Sequence, residues 1–150
     1  MNSKTILLLL GFWLSLGTAW GQYPPPNGWK TFAQVKFEPK YYKDVDMYVL
    51  TPKFTADIKY YLNKEFVLKG YVLPLADDTP FVILSKFPYS QCFFCGGAGP
   101  ESVAAIYFKD KSKPSNFKMD QVITVKGKLA LNDSNLDELN FILKDAQIIK

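Results

Sequence analysis

The two sulfurs are the most reactive groups in this sequence. Cys92 and Cys95 are its only cysteines, spaced C-x-x-C inside the string CFFCGGAGPESV. Four chemistries are open to such a pair. In an oxidising compartment two thiols close one disulfide, although bridging so short a loop removes little chain entropy. A redox dithiol is the second. It needs its first cysteine at a helix N-terminus, which lowers that thiol's pKa. Here Gly96-Gly97-Ala98-Gly99-Pro100 follows at once, which argues against a long helix. Metal binding is the third, since thiolates are soft ligands suited to zinc or copper(I). A closed zinc site takes four ligands. Glu101 can support the pair with an oxygen, as can Asp77 or Asp78, and a homodimer can join two loops into a four-sulfur site. The fourth is plain burial of two reduced thiols.

The residues around the cysteines have their own alternatives. Gly96, Gly97 and Gly99 can turn their backbone N–H groups toward an anion, with Pro100 as a first helical position. No Lys-Ser/Thr pair follows, so a phosphate cradle lacks its usual partners. The plainer role for these glycines is a sharp turn. Phe93 and Phe94 stand between the cysteines, with Phe87 and Tyr89 just before. They are either core residues or an apolar contact patch.

What is missing decides more. The chain has 150 residues, no histidine and, among 18 basic side chains, no arginine. Without imidazole there is no Ser-His or Cys-His pair and no histidine metal ligand. Without guanidinium there is no bidentate clamp on phosphate or guanine. The net charge of +4 therefore reads as a solvated lysine surface, and no nucleic-acid partner is expected. Asp77-Asp78 are neighbours in a turn, and nothing holds them at a separation for acid–base work. Ser85-Lys86 is a chance dipeptide.

These residues must be positioned by a small domain. MNSKTILLLLGFWLSLGTAWGQ opens with Lys4 and an apolar run from Ile6 to Leu16, too short to span a bilayer comfortably. Ala19 and Gly21 fit the −3 and −1 positions of an export signal over residues 1–21. The mature chain is expected to start at Gln22, with Trp20 as the alternative, and to be periplasmic or secreted without a transmembrane segment. A proline-rich leader follows over 22–30. An N-terminal extension over 31–64 contains a strand through Phe32, Val35 and Phe37 ending at Pro39. A second extended piece runs from Val45 to Leu50, closed by Thr51-Pro52. A short helix follows, capped by Thr55 and ended by Asn63.

From residue 65 to 150 the pattern is cleaner. EFVLKGYVLP, FVILS, VAAIYF, QVITVKGKLAL and NFILKDAQIIK read as five strands. Ala76–Pro80, Asp110–Asn116 and Asn132–Glu138 are the turns, and Lys86–Ser102 is the long cysteine loop. Ile123, Val125, Gly127, Leu129 and Leu131 share one face of the fourth strand, as burial on one side requires. Gly70 and Gly127 permit the strong coiling of a closed sheet. The expected fold is all-β: a five-stranded OB-like barrel with an N-terminal strand and short-helix extension. A β-sandwich is the runner-up.

GYVLPL, FVILSKFPYSQCFFCGGAGPESV, VKGKLAL and LKDAQI together resemble exported bacterial proteins, Bacteroidetes-like, with an OB-like barrel. The likeness runs from about Pro52 to Ile148, with Lys53-Phe54-Thr55 and Gly70-Tyr71 matching its opening. It implies the fold and export, and it carries no activity. Broader relatives have one cysteine followed by a histidine in this loop. This chain lacks that histidine, which weakens a metal role taken from them.

The composition favours a non-enzymatic binding or accessory protein, acting on a partner protein or small ligand in the cell envelope. A zinc- or copper-handling protein using Cys92 and Cys95 is the alternative. An oligosaccharide-binding module is the second alternative, since aromatics on a barrel face suit stacking.

Overall fold

The computed structural model describes residues 28–74, 79–109 and 117–149. The export signal, most of the leader, Asp77, Asp78, and the 110–116 turn lie outside the described residues. Among the described residues, no helix is long and apolar enough to cross a membrane.

The chain is an all-β protein. Five strands form a closed barrel: β3 (Glu65–Leu73), β4 (Val82–Ser85), β5 (Val103–Phe108), β6 (Val122–Leu131) and β7 (Phe141–Ile149). Around the barrel the order is β3-β4-β5-β7-β6, with β6 returning to β3. Every pairing is antiparallel except β5 with β7, where Ala105 faces Ile142 and Ile106 faces Leu143. Three strands followed by a swapped last pair, closed by one parallel seam, is OB-like connectivity.

Alternation explains two of the walls, β3 and β6. In β3 and β6 alternate residues are buried, so Phe66, Leu68, Ile123, Val125 and Leu129 fill the interior while lysines point out. β4 and β5 are apolar on nearly every residue and are buried along most of their length. Gly70 sits where β3 crosses close to β4, and a Cβ there would collide with the Ser85 carbonyl. The ladder passes through Gly70 in register, so a close crossing, not a bulge, demands the glycine. The irregularity lies at the other predicted glycine. Lys126 faces Gln147 while Lys128 faces Lys144, so Gly127 opposes two residues of β7. The extra residue includes Asp145, whose φ is 52°.

The N-terminal extension departs from its expected form. Trp29–Phe32 is a single helical turn, α1, not part of a strand. The alternation of Phe32, Val35 and Phe37 arises because the helical turn and the strand after it both face the barrel. Phe32 is fully buried, stacked on Phe141 at 4.0 Å and on Phe66 at 5.1 Å between ring centres. Trp29 Nε1 donates to the Lys69 carbonyl at 2.8 Å and fastens the turn to β3. The following strand, β1 (Lys36–Tyr42), runs through Pro39 without stopping. It pairs antiparallel with β2 (Met47–Lys53) as a separate two-stranded ribbon. The short helix α2 (Ala56–Lys59) forms as expected after Thr55. The Thr55 side chain makes no capping bond there, and Asn63 ends the segment at φ 59°.

Candidate functional site

The β4–β5 connection carries both cysteines and is built from three single 3-10 turns, Tyr89–Gln91, Phe93–Cys95 and Pro100–Ser102. Lys86 N–H donates to the Ser102 carbonyl at 2.9 Å and closes its base. The Ser102 hydroxyl donates back to the Gly99 carbonyl across the last turn at 2.7 Å. Tyr89 N–H donates to Asp120 Oδ1 at 2.7 Å, tying the loop to the entry of β6.

Cys92 is fully buried and Cys95 is exposed; both are free thiols. Cys92 Sγ donates to Cys95 Sγ at 3.7 Å. The turn that joins them is tight: Cys95 N–H and Gly97 N–H both donate to the Cys92 carbonyl, at 3.2 and 3.1 Å. Gly97 lies against the backbone of Gln91, where a Cβ would come within 2.8 Å of the carbonyl oxygen. Gly96 turns the chain at φ 76°. Desolvation, then the neighbouring Cys92 thiol, push the Cys95 thiol above its ordinary pKa, against a smaller downward pull from the Tyr89 hydroxyl. A raised value keeps the sulfur protonated near neutral pH, the opposite of an activated redox thiolate. Glu101 folds its carboxylate back over Gly99. Among the described residues, no three Cys, Asp or Glu side chains cluster closely enough to hold a metal ion.

The aromatics of the loop are not core. Phe93 is half-buried, Phe94 is 45% exposed, Phe87 is half-buried and Tyr89 is exposed. Phe93 and Phe94 touch edge to face at 5.3 Å and diverge into two clefts. Phe93 lines a cleft of about 410 Å³ with Pro100, β2 and the β6–β7 connection. Phe94 lines one of about 270 Å³ with Leu73, Phe81 and Ile83 of the barrel. Leu136, Glu138 and Leu139 border both. Phe87 and Tyr89 border neither.

The β6–β7 connection, a polar turn by its sequence, forms the border that both clefts share. Buried Asn132 organises it. Its Nδ2 donates to the carbonyls of Asn135 and Glu138 at 2.7 and 3.0 Å, and its Oδ1 accepts from Asn135 N–H at 2.9 Å. Asn140 Nδ2 donates to the Asn132 carbonyl at 3.0 Å. The loop's shape is thus fixed by side-chain amides, which hold Leu136 out at the clefts. The available signal was two leucines inside NDSNLDELN, an isolated apolar pair in a polar turn with no longer periodic run to bury it.

Compared with protein-family models, curated proteins and solved structures, the chain matches none.

Proposed function

We propose that this chain is an exported, non-enzymatic binding module whose ligand seats in the two clefts divided by Phe93 and Phe94. One observation carries this reading. Two consecutive aromatics on a short, braced turn stand one in each of two apolar clefts with a shared border. Concave, largely apolar sites with a few polar groups are where proteins bind ligands. The bracing of both loops means little ordering cost falls on binding.

A neutral solvent-sensitive apolar dye tests it. Bound-dye emission is expected to fall several-fold in Phe93→Ala and Phe94→Ala. Emission unchanged in both variants would remove the clefts from function. N-terminal sequencing of material recovered outside the cytoplasm tests export, with Gln22 or Trp20 expected as the first residue.

A second reading, zinc or copper handling, rests on the sulfur spacing. Two thiolates about 2.3 Å from a tetrahedral ion stand roughly 3.7–3.8 Å apart, and these sulfurs are 3.7 Å apart. Cys92 and Cys95 would hold half a site, completed by a second copy or an external ligand. Zinc titration of the reduced chain decides this: protection of the exposed Cys95 from alkylation that is lost in Cys92→Ser supports it, and undiminished alkylation at saturating zinc sinks it.

A further inference from the structure

We infer that the larger cleft takes an extended peptide segment of a partner protein, apolar and carrying a basic residue, added as a third strand beside β2. The inference rests on the binding-module reading and names its ligand class.

Six consecutive residues, Met47 to Pro52, line this cleft. Successive side chains of a strand point to opposite faces. A cleft bordered by six in a row therefore meets the strand's edge, where backbone groups are presented. The other edge of β2 is taken by β1.

The prolines fix which backbone groups point outward. Pro39 faces Leu50 and Pro52 faces Phe37, so both prolines fall in the same alternate set of pairs, together with Tyr41 facing Tyr48. Proline has no N–H to give to a ladder. This set is the non-hydrogen-bonded one, whose N–H and C=O groups turn away from the partner strand. On β2 it leaves the N–H and C=O of Tyr48 and Leu50, and the C=O of Pro52, directed at the cleft. Besides its ladder with β1, β2 takes part in one further backbone hydrogen bond among the described residues, from the Thr51 hydroxyl to the Val49 carbonyl. On β1 the same set is interrupted by Pro39, which blunts that edge against pairing. Pro52 stands at the end of the β2 set and leaves Tyr48 and Leu50 consecutive within it, so the less interrupted edge of the ribbon is the one that borders the cleft.

The side chains suit an apolar strand. Phe37, Pro39, Tyr41, Tyr48, Leu50 and Pro52 share one face of the ribbon by register. Phe37 packs this face against the barrel core and Pro52 is buried, while Tyr48 is 72% and Leu50 50% exposed. A strand laid beside β2 would place alternate side chains over Phe93, Pro100, Leu136 and Leu139. Charge selects among such strands. The chain carries 18 lysines, yet the cleft is lined by Asp133 and Glu138 and by no lysine. Strand addition of this kind draws affinity from main-chain bonds and specificity from alternate side chains.

A displayed library of random heptapeptides, panned on the full chain from Gln22 onward, is the probe. Enriched peptides are expected to alternate apolar residues, to lack proline and to carry Lys or Arg. Leu50→Pro removes only an outward N–H, as Pro39 and Pro52 already do, and is expected to weaken the best peptide at least tenfold. N-methylation of alternate peptide amides is expected to do the same without touching the protein. The Tyr48 and Leu50 amides should gain protection from hydrogen exchange in the complex. Peptides that bind with no response to Leu50→Pro or to N-methylation would overturn strand addition and leave the cleft reading standing. Dye binding without any enriched peptide would do likewise. Loss of both dye and peptide binding would remove both. Self-association abolished by Leu50→Pro would replace the partner peptide with a second copy of this chain.

Discussion

Inside the barrel Phe32, Phe66 and Phe141 are completely buried and stack on one another. On the ribbon Tyr41 and Tyr48 also pair, 5.2 Å apart, yet both are exposed. On the cysteine loop Phe94 repeats the second pattern beside the half-buried Phe93. The same residue types serve two ends. In the barrel they remove apolar area from water and hold the fold. In the ribbon and loops they hold apolar area in water, braced by hydrogen bonds that keep it there. The difference teaches that composition alone does not separate core from contact surface; position relative to the barrel wall does.

The largest effect should come from the buried side. Phe141→Ala deletes a ring packed against Phe32 at 4.0 Å, and should cost about 3–5 kcal/mol. Urea unfolding with an unchanged m-value measures it; a loss under 1 kcal/mol would mean the stack is not the core.

The bracing of the exposed side comes next. Asn132→Ala leaves the Asn135 N–H and the Glu138 and Asn135 carbonyls without their side-chain partner. A loss of about 1–3 kcal/mol is expected, together with weaker dye binding, because Leu136 would no longer be held at the clefts. Stability and dye binding both at wild-type values would show that the loop holds itself without this amide.

The ribbon should give the reverse. Tyr48→Ser with Leu50→Ser is expected to change stability by no more than about 0.5 kcal/mol, as exposed substitutions do, while removing peptide capture. A large drop in thermal midpoint would show that the ribbon belongs energetically to the barrel.

The smallest effect is on the thiol. Because the Cys95 pKa is raised, its alkylation should stay slow at neutral pH and accelerate only above the ordinary thiol range. Tyr89→Phe removes the hydroxyl that pulls the value down, so its profile should move further to alkaline pH. A shift to acid on that substitution would contradict the assigned contact.

The barrel was legible in the residue order because a wall wetted on one face and dry on the other must alternate. β3 and β6 display that period directly, while β4 and β5 show instead as short continuous apolar runs, buried along most of their length. The turn of Trp29–Phe32 was not legible. Its apolar spacing matches a strand as well as a helical turn facing the same core, and only Phe32 entering the barrel separates the two. The candidate site was half legible. C-x-x-C and its phenylalanines stand out by type, but where the rings point depends on how the loop lies across the barrel. Leu136 and Asn132 gave almost no local signal, because their roles are set by partners on other segments. The sequence by itself determined the alternation of β3 and β6, which depends on neighbours in the chain, and the exclusion of imidazole and guanidinium chemistry, which depends on residue types alone. Tertiary structure alone decided which apolar residues stay in water, since that depends on what distant segments cover.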